Sequence, residues 1–457
     1  MTATAGQPLK RLRGLQAAAH ERRSAALAAA IHEGLLQEDV LDFTPTAILM
    51  DVDLIEATIA HLRHGAGYPE DTLHTVAVKA NPVGGVLRIF LEAGMGAEVA
   101  SLGELAQALH VGFPPDRIVF DSPAKTAAEL EFALARGVPT NLDNFQELAR
   151  AAALVAAHPE WLERPGGLAV GLRINPQVGS GSIAALSTGG AVSKFGLPLS
   201  ECREELVAAF VAHPWLNMLH LHVGSQGLPT SLIVEGAAKV VLLRRRVPAL
   251  FDPDRGVRLM TENGRSLLAK AGCVVSRVEY TKASGGRRIA VCHAGADLLM
   301  RACYMPETWG MRVRVCDSRG APKEPRSSAG AGSGEDGGGG DVSGGDVSVG
   351  GLTGDGVELE IQDIAGPLCF QGDRLATAAL LPRCEVGDWV MVLDAGAYTL
   401  SMASRYNSRS SPAVYGFSGG PSSGAASSGD AGVWAVKLRK LRGRETLQQV
   451  LDYWNIE

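Results

Sequence analysis

Residues 75–81 read TVAVKAN, a short apolar run rich in β-branched residues that ends in a lysine and an asparagine. Six more runs of this kind follow, and stretches with helical periodicity lie between them. Strands that alternate with helices form βαβ units, and so many units in succession predict a (β/α)8 barrel. The seven predicted strands are 75–81, 96–101, 117–122, 138–144, 168–176, 216–226 and 257–265.

One strand of the predicted barrel is missing. A barrel of this type needs eight strands, and the sequence supplies seven. Between HVGSQ (222–226) and ENGR (262–265) there is room for about one helix and little else. We therefore predict an α/β fold whose barrel lacks one strand.

The pattern changes after residue 275, where turns and little helix separate five strand-like segments, at 287–295, 311–316, 357–366, 388–396 and 434–441. This pattern predicts a separate β-rich domain, and FTPTAILMDV (43–52) is a candidate to join it. The predicted divisions are a helical segment at 1–42, the barrel at 43–275 and the β-rich domain at 276–457.

Three segments stand apart in composition. Residues 319–356 and 418–432 are rich in glycine and serine and poor in apolar residues, which predicts flexible insertions. Residues 9–37 are rich in alanine and arginine. Glu21 and Glu33 favour a surface helix over an organellar transit peptide, which is usually poor in acids. The predicted location is the cytoplasm, with an organelle such as a plastid as the alternative.

Bulk composition excludes several classes of protein. The 457 residues are 46% hydrophobic and 20% charged, which allows a sizeable core, and the net charge of −6 argues against nucleic-acid binding. The seven cysteines form no CxxC pair, so we expect a reducing compartment and neither disulfides nor a metal site. No apolar run is long enough to span a bilayer, so no membrane partner is expected.

Ionisable and hydroxyl side chains lie at the C-terminal ends of the predicted strands, where barrel enzymes build their active sites. Asp143 and Asn144 are explained as ordinary turn residues. Turn formation does not explain a lysine, a histidine, glutamates and arginines at equivalent positions. The set includes Lys79, Glu98, Asp121, Arg173, His222, Ser225, Glu262 and Arg265.

Lys79 and Glu262 together predict a pyridoxal 5'-phosphate site. Burial lowers the pKa of a lysine and makes its amine a nucleophile for carbonyl groups. A carboxylate such as Glu262 keeps a pyridine nitrogen protonated. His222 is placed to stack on such a ring, and Ser225 and the Gly264–Arg265 turn are placed to reach a phosphate.

Nine motifs in order resemble the ornithine/diaminopimelate/arginine decarboxylase group of fold-type III pyridoxal phosphate enzymes. They extend over roughly residues 43–417, and they most resemble the diaminopimelate decarboxylase-like members. The motifs are VKANP (78–82), GAEVASLGEL (96–105), FDSPAK (120–125), LRINP (172–176), TGG with SKFG (188–196), HVGSQ (222–226), ENGR (262–265), GPLCFQGD (366–373) and GDWVMVLDAGAYTLSMASRYNSR (387–409).

The resemblance implies a role for each matching residue. Lys79 would carry the cofactor, His222 would stack on its ring and Glu262 would pair with the ring nitrogen. The phosphate end would be held by Ser225, Gly264 and Arg265, and Tyr398 would also contact the cofactor. Cys369 would return a proton to the α-carbon in the neighbouring subunit's site, which implies a homodimer. The implied substrate-side residues are Arg301, Tyr304, Phe370 and Asp373.

Three departures from the family pattern are visible. The absent strand normally ends in a glycine triplet that holds the phosphate, and Asn263 stands where proline is usual. Phe370 stands where these decarboxylases usually have an acid that recognises the substrate's distal amine, as in an uncharacterised subgroup of the superfamily. We therefore expect a substrate with an apolar or neutral side chain, unless another acid such as Asp297 recognises the amine.

The leading functional prediction is decarboxylation of an amino acid at its α-carbon. Racemisation is an alternative, because the same fold supports both reactions. A second alternative is a non-catalytic homologue that keeps the fold and the dimer surface, and the absent strand favours it. Uptake of the cofactor distinguishes an enzyme from such a homologue.

Overall fold

The computed structural model describes residues 6–36, 41, 44–183, 186–247, 257–323, 357–421 and 434–455. It contains an eight-stranded parallel sheet and a nine-stranded mixed sheet. Most of the predicted insertion at 319–356, and residues 422–432 of the second one, lie outside the described residues.

The chain begins with two helices and one strand of the mixed sheet, followed by the elements of the parallel sheet. The first elements are α1 (Gly6–Ala17), α2 (Ala19–His32), β1 (Thr46–Asp51) and α3 (Val52–His64). The parallel sheet follows with β2 (Leu73–Ala77), α4 (Gly84–Glu92), β3 (Gly96–Val99), α5 (Leu102–Val111), β4 (Ile118–Asp121), α6 (Ala127–Leu134), β5 (Thr140–Leu142), α7 (Phe145–Ala157), β6 (Val170–Asn175), β7 (Leu197–Pro198), α8 (Arg203–Ala212), β8 (Leu216–Leu221), α9 (Thr230–Arg244), β9 (Met260–Asn263) and α10 (Arg265–Leu268).

All seven predicted barrel strands are present, as β2 to β6, β8 and β9. The sheet runs in the order β7-β6-β5-β4-β3-β2-β9, and β8 pairs with β6. β7 is a two-residue strand at the end of β6. No strand joins β8 to β9 among the described residues, so the curled sheet stays open there. The predicted barrel architecture with a missing strand is confirmed.

Burial follows the opening in the sheet. Every residue of β2 to β6 is buried, whereas β9 and most of β8 are only half-buried. The helix after β8 also keeps large apolar side chains exposed, namely Ile233, Val234, Val241 and Leu242. A further strand and helix would cover these surfaces in a closed barrel.

The second domain is built on the mixed sheet. Its strands run in the order β14-β13-β11-β10-β1-β16-β17, and β12 and β15 join beside β10. The remaining elements are β10 (Gly272–Ser284), β11 (Arg287–Cys292), α11 (Met300–Tyr304), α12 (Pro306–Trp309), β12 (Val313–Cys316), β13 (Leu359–Ala365), β14 (Arg374–Pro382), β15 (Trp389–Val392), β16 (Ala413–Pro421), β17 (Trp434–Arg442) and α13 (Leu447–Tyr453).

Segment 43–52, the candidate for the second domain, supplies β1 to the mixed sheet. β1 pairs antiparallel with β10 and parallel with β16. β10 extends across residue 275, where the sequence placed the domain boundary. The five predicted strand segments of this domain correspond to β11, β12, β13, β15 and β17, and the sequence did not predict β10, β14 or β16.

The N-terminal region is two helices, and the expectation of a surface helix is wrong for α2. Ala26, Leu27 and Ala30 are fully buried and pack in a cluster with Trp389 and Phe417 of the mixed sheet. No helix in the described part of the chain is long and apolar enough to cross a membrane.

A buried ion pair fastens α2 to the mixed sheet. The Arg22 guanidinium donates to both carboxylate oxygens of Asp51 at 2.7 Å and to Asp53 at 2.8 Å. The side chains of Arg22 and Asp51 are 0% and 1% exposed. Either charge buried alone would be strongly destabilising, because its desolvation would not be offset, so each charge stabilises the other.

We predict that Arg22→Ala lowers the free energy of unfolding by about 3–5 kcal/mol, because it leaves the buried Asp51 carboxylate without a cation. Urea denaturation followed by circular dichroism measures the change. Arg11→Ala is the control, since Arg11 is 55% exposed and lies 3.9 Å from Asp53. An Arg22→Ala protein as stable as Arg11→Ala would contradict this role for the pair.

Candidate active site

Strand register brings charged residues together at one edge of the parallel sheet. Glu98 on β3 lies opposite Ala77 on β2. The short turn Val78–Ala80, which carries Lys79, follows Ala77 directly. Glu262 on β9 lies opposite Thr75 on the other side of β2. Lys79 therefore lies between two strands that each contribute a glutamate, at the C-terminal edge where barrel sites form.

Lys79 is held by Glu98. The Lys79 ammonium donates to both carboxylate oxygens, at 2.6 and 2.5 Å. Burial lowers the pKa of Lys79, but the charge of Glu98 outweighs burial and raises the pKa above its ordinary value. The expectation of a lowered lysine pKa is therefore wrong for this state of the protein. Burial raises the pKa of Glu98 to about 7, against the opposing effect of Lys79.

Glu262 is bound by a histidine that sequence reasoning did not single out. His220 Nε2 lies 3.2 Å from Glu262 Oε2. Burial opposes ionisation of Glu262, yet His220 and Lys79 lower the pKa of Glu262 to about 2. The spacing of His220 and His222 was the available signal, because alternate residues of a strand point to the same face.

His222 is half-buried and uncharged at neutral pH. Burial and the nearby Arg173 lower the pKa of His222 to about 4. The Thr188 hydroxyl donates to the His222 carbonyl, which ties the predicted TGG motif to the end of β8. A neutral imidazole is suited to stack on an aromatic ring, because it loses no charge solvation on contact.

A second charged pair lies deeper in the sheet. Arg173 Nη1 donates to Asp121 Oδ2 at 2.7 Å, and His220 Nε2 lies 3.8 Å from the same oxygen. Asp121, His220 and Glu262 offer ligand atoms within 4.8 Å of one another, a spacing that a metal ion could use. Because Arg173 already occupies Asp121 Oδ2, we interpret these residues as an ion-pair chain.

Two arginines flank Tyr398. The guanidinium carbons of Arg265 and Arg301 lie 4.7 and 5.4 Å from the centre of its ring. Neither arginine has a carboxylate partner among the described residues. Burial lowers the pKa of Arg265, and Arg301 adds to this effect. Two cations without counter-ions are suited to bind an anion such as a phosphate or a carboxylate.

Tyr398 joins the two domains at this point. Its N–H donates to the Ala80 carbonyl at 2.8 Å, and the Asn81 side chain donates to the Gly396 carbonyl at 3.0 Å. Tyr398 has a φ of 58°, a left-handed conformation that is costly for a bulky residue. A Cβ atom at Gly264 would lie 3.0 Å from the Tyr398 hydroxyl, so a side chain there would require the Tyr398 ring to shift.

Ser225 and Cys369 are both exposed. Ser225 follows β8, and its N–H donates to the Leu186 carbonyl at 3.2 Å. Cys369 is fixed through its backbone, since its N–H donates to the Asn407 side chain and its carbonyl accepts from Tyr406. The described residues show no bond from Cys369 to Lys79.

Phe370 stacks on Tyr304, with ring centres 4.8 Å apart and planes 15° from parallel. Two of the predicted substrate-side residues therefore form one aromatic surface. Asp373 is placed differently, because its carboxylate accepts from the N–H groups of Ala296 and Leu368 at 2.6 and 2.7 Å. Asp373 thus holds the loop that carries Phe370, and its role toward a substrate stays a prediction.

The other lysines of the motifs have different surroundings. Lys125 is buried, and it donates to the carbonyls of Ser122 and Asn141 and lies 3.0 Å from Glu147. Lys194 is exposed, with its ammonium 4.9 Å from the ring centre of Phe195. Of these three lysines, Lys79 is the one at the end of a barrel strand beside Glu98.

These residues fit pyridoxal phosphate. Glu262 Oε2 is bound by His220, and no hydrogen bond among the described residues engages Oε1, which is therefore free to accept from a ring nitrogen. Lys79 supplies an amine, and His222 supplies a neutral flat ring. Arg265 supplies a cation without a counter-ion for the phosphate end.

Comparison with known proteins agrees with this fit. Residues 55–247 match the sequence family described as "Pyridoxal-dependent decarboxylase, pyridoxal binding domain". Diaminopimelate decarboxylase from Zymomonas mobilis is 29% identical over 388 residues, which cover 76% of this chain and 80% of that protein. Diaminopimelate decarboxylase from Helicobacter pylori is 26% identical over 450 residues, with 90% and 94% coverage.

Solved structures share the fold. Diaminopimelate decarboxylase from Helicobacter pylori, complexed with L-lysine, superposes with a TM-score of 0.67 at 24% identity and covers 93% of this chain. The arginine decarboxylase of Paramecium bursaria Chlorella virus, bound to agmatine, gives a TM-score of 0.62 at 16% identity and covers 85% of this chain.

Residues 55–247 resemble the pyridoxal binding domain of pyridoxal-dependent decarboxylases, and the fold is shared with the solved decarboxylases. The relatives named above are diaminopimelate decarboxylases, which belong to the group that the motifs of this chain resemble.

We predict that Lys79→Ala abolishes covalent attachment of the cofactor, because the variant removes the amine beside Glu98 and Glu262. The measurement is mass spectrometry of peptides from borohydride-reduced protein. Lys194→Ala is the control and should label like the wild type. A pyridoxyl adduct on any other lysine of the wild type would overturn the assignment.

We predict that Glu98→Gln shifts the pH dependence of cofactor attachment to lower pH. The reason is that Glu98 raises the pKa of Lys79, and burial alone would lower it. The initial rate of borohydride-trapped attachment, measured from pH 6 to pH 10, reports the shift. Glu92→Gln, an exposed change on α4, is the control. An unchanged pH profile would mean that Glu98 does not control the amine.

We predict that the cofactor is held weakly, because the described residues include no strand between β8 and β9 that could supply N–H groups to the phosphate. Each lost charge-assisted hydrogen bond costs roughly 1.5–3 kcal/mol. Dialysis of the protein loaded with pyridoxal phosphate should remove it more readily than from the Helicobacter pylori enzyme treated in parallel. Tight stoichiometric retention would mean that another segment, such as 227–236, holds the phosphate.

Proposed function

We propose that this chain removes the α-carboxylate of an amino acid whose side chain carries no distal ammonium group. The observation that supports the reaction is the position of Lys79 beside Glu98 and close to Glu262, at the C-terminal edge of the parallel sheet. The observation that supports the substrate class is the Tyr304–Phe370 stack.

Each residue of the site has a distinct task in this proposal. Pyridoxal phosphate, when bound, supplies a ring that accepts the electron pair left on the α-carbon as CO2 departs. Lys79 holds the cofactor, and His222 packs on one face of the ring. The Glu262 carboxylate keeps the ring nitrogen protonated. Arg265 and Arg301 hold anionic groups against Tyr398.

Cys369 is proposed to return a proton to the α-carbon from its Sγ atom. Its exposed position and its fixed backbone suit a residue that enters a neighbouring subunit's site. We therefore propose a homodimer with shared sites. Mixing a Lys79→Ala chain with a Cys369→Ala chain tests sharing, because mixed dimers should recover part of the activity that both parents lack.

The aromatic surface of Tyr304 and Phe370 favours a neutral substrate. A distal ammonium group that loses water needs a carboxylate partner, and these rings offer apolar contact with at most a cation–π interaction. Asp297 is the less favoured source of such a carboxylate, because Arg409 already donates to its Oδ2 at 3.1 Å. The relatives described above are diaminopimelate decarboxylases, so diaminopimelate is the dibasic compound to compare first.

Measuring both CO2 release and exchange of the α-proton distinguishes decarboxylation from racemisation. A racemase exchanges the α-proton with solvent and releases no CO2, whereas a decarboxylase releases CO2. Release of CO2 from one member of an amino-acid panel supports the proposal. Exchange of the α-proton in D2O without CO2 release would contradict it, and a loaded protein inactive toward the whole panel would indicate the non-catalytic homologue.

We predict a preference for neutral amino acids over meso-diaminopimelate, ornithine and lysine in CO2 release. Phe370→Glu should raise kcat/KM for the dibasic substrates by roughly tenfold or more, since a charged hydrogen bond contributes about 1.5–3 kcal/mol. Phe370→Leu is the matched control and should not raise it. A wild-type preference for a dibasic substrate would show that Phe370 does not select the substrate.

A further inference from the structure

A series of charged side chains, each close to the next, crosses the opening in the parallel sheet. It runs from Arg173 on β6 to Asp121 on β4, then to His220 on β8 and Glu262 on β9, with separations of 2.7, 3.8 and 3.2 Å. β8 and β9 share no backbone pairing among the described residues. The His220–Glu262 hydrogen bond therefore connects the two open edges.

We propose that His220 is a positioning residue for Glu262. It donates from Nε2 to Glu262 Oε2, which fixes the carboxylate and leaves Oε1 for the ring nitrogen of the cofactor. This inference rests on the proposed function for its consequence, because Glu262 matters only if the cofactor binds. The hydrogen bond itself belongs to the protein without cofactor.

Charges from several elements determine the ionisation of His220. Burial lowers its pKa, and Arg173 on β6 acts in the same direction. Glu262 on β9 and Asp121 on β4 oppose this effect, and the net pKa of His220 is raised. His222, which directly follows β8, is faced by the same Glu262 and Arg173 and stays neutral near pH 7. The two carboxylates thus favour the charged form of His220 beside the Glu262 carboxylate.

The geometry also shows why Glu262 needs a partner. Glu262 is only 19% exposed and belongs to an edge strand whose far side is open. A buried carboxylate without a cation would gain a proton, because burial disfavours its charged form. A protonated Glu262 could no longer stabilise a protonated ring nitrogen. His220 thus supplies both the position and the charge state of Glu262.

The decisive measurement is the visible absorption of the bound cofactor as a function of pH. In the wild type the band should stay constant through neutral pH, because the ring nitrogen stays protonated. His220→Ala should shift the midpoint of this spectral titration by on the order of one pH unit, since removal of a nearby charge has effects of this size. His220→Gln, which keeps an N–H donor without the charge, should lie between them.

The control and a second measurement keep the proposal falsifiable. His110→Gln, an exposed change on α5, should titrate like the wild type. If His220 only ties β8 to β9, His220→Ala will lower the melting temperature while its spectral midpoint matches the wild type. That result would overturn the proposal.

Nuclear magnetic resonance of the cofactor-free protein tests the pair independently of the proposed function. The His220 imidazole should titrate above 6.5 in the wild type, and Glu262→Gln should lower its pKa. A wild-type His220 that titrates below this value would contradict the inference even if His220→Ala fails to fold. A wild type that takes up no cofactor but shows the raised His220 pKa would refute the proposed function and leave the pair intact.

Discussion

The charges inside the parallel sheet must neutralise one another, because they are withdrawn from water at the edge where β8 and β9 share no backbone pairing among the described residues. Arg173, Asp121, His220 and Glu262 form one chain from β6 to β9, and Lys79 and Glu98 form a second pair beside it. An isolated charge at any of these buried positions would pay a desolvation cost that only a partner offsets. The position of each functional side chain follows from this pairing.

The second domain completes the site from the other side. Two hydrogen bonds cross the domain boundary. The Tyr398 N–H donates to the Ala80 carbonyl, and the Asn81 side chain donates to the Gly396 carbonyl. This contact places the Tyr398 ring, and with it Arg301, beside the Gly264 turn. The buried pair of Arg22 and Asp51 holds β1 in the same mixed sheet, so the N-terminal helices contribute to the framework that carries Tyr398.

The sequence predicted the barrel strands and the absent one, because each strand is a compact apolar run with a polar end. β14 was not predicted, since RLATAALLP is rich in alanine and leucine, and its strand conformation comes from pairing with β13. The pKa of Lys79 was predicted in the wrong direction, because the effect of Glu98 depends on the register that sets Glu98 opposite Ala77. His220 was missed because its partner lies on a strand distant in sequence, and only the fold brings them together.

The central claim is that the open barrel still forms a cofactor site around Lys79. The visible spectrum of the wild-type protein with excess pyridoxal phosphate tests this claim most directly. A site around Lys79 predicts a yellow protein that borohydride bleaches, with a pyridoxyl group that survives denaturation and gel filtration. A protein that stays colourless at saturating pyridoxal phosphate, and that borohydride leaves unlabelled, would contradict the assignment of this edge of the sheet as a cofactor site.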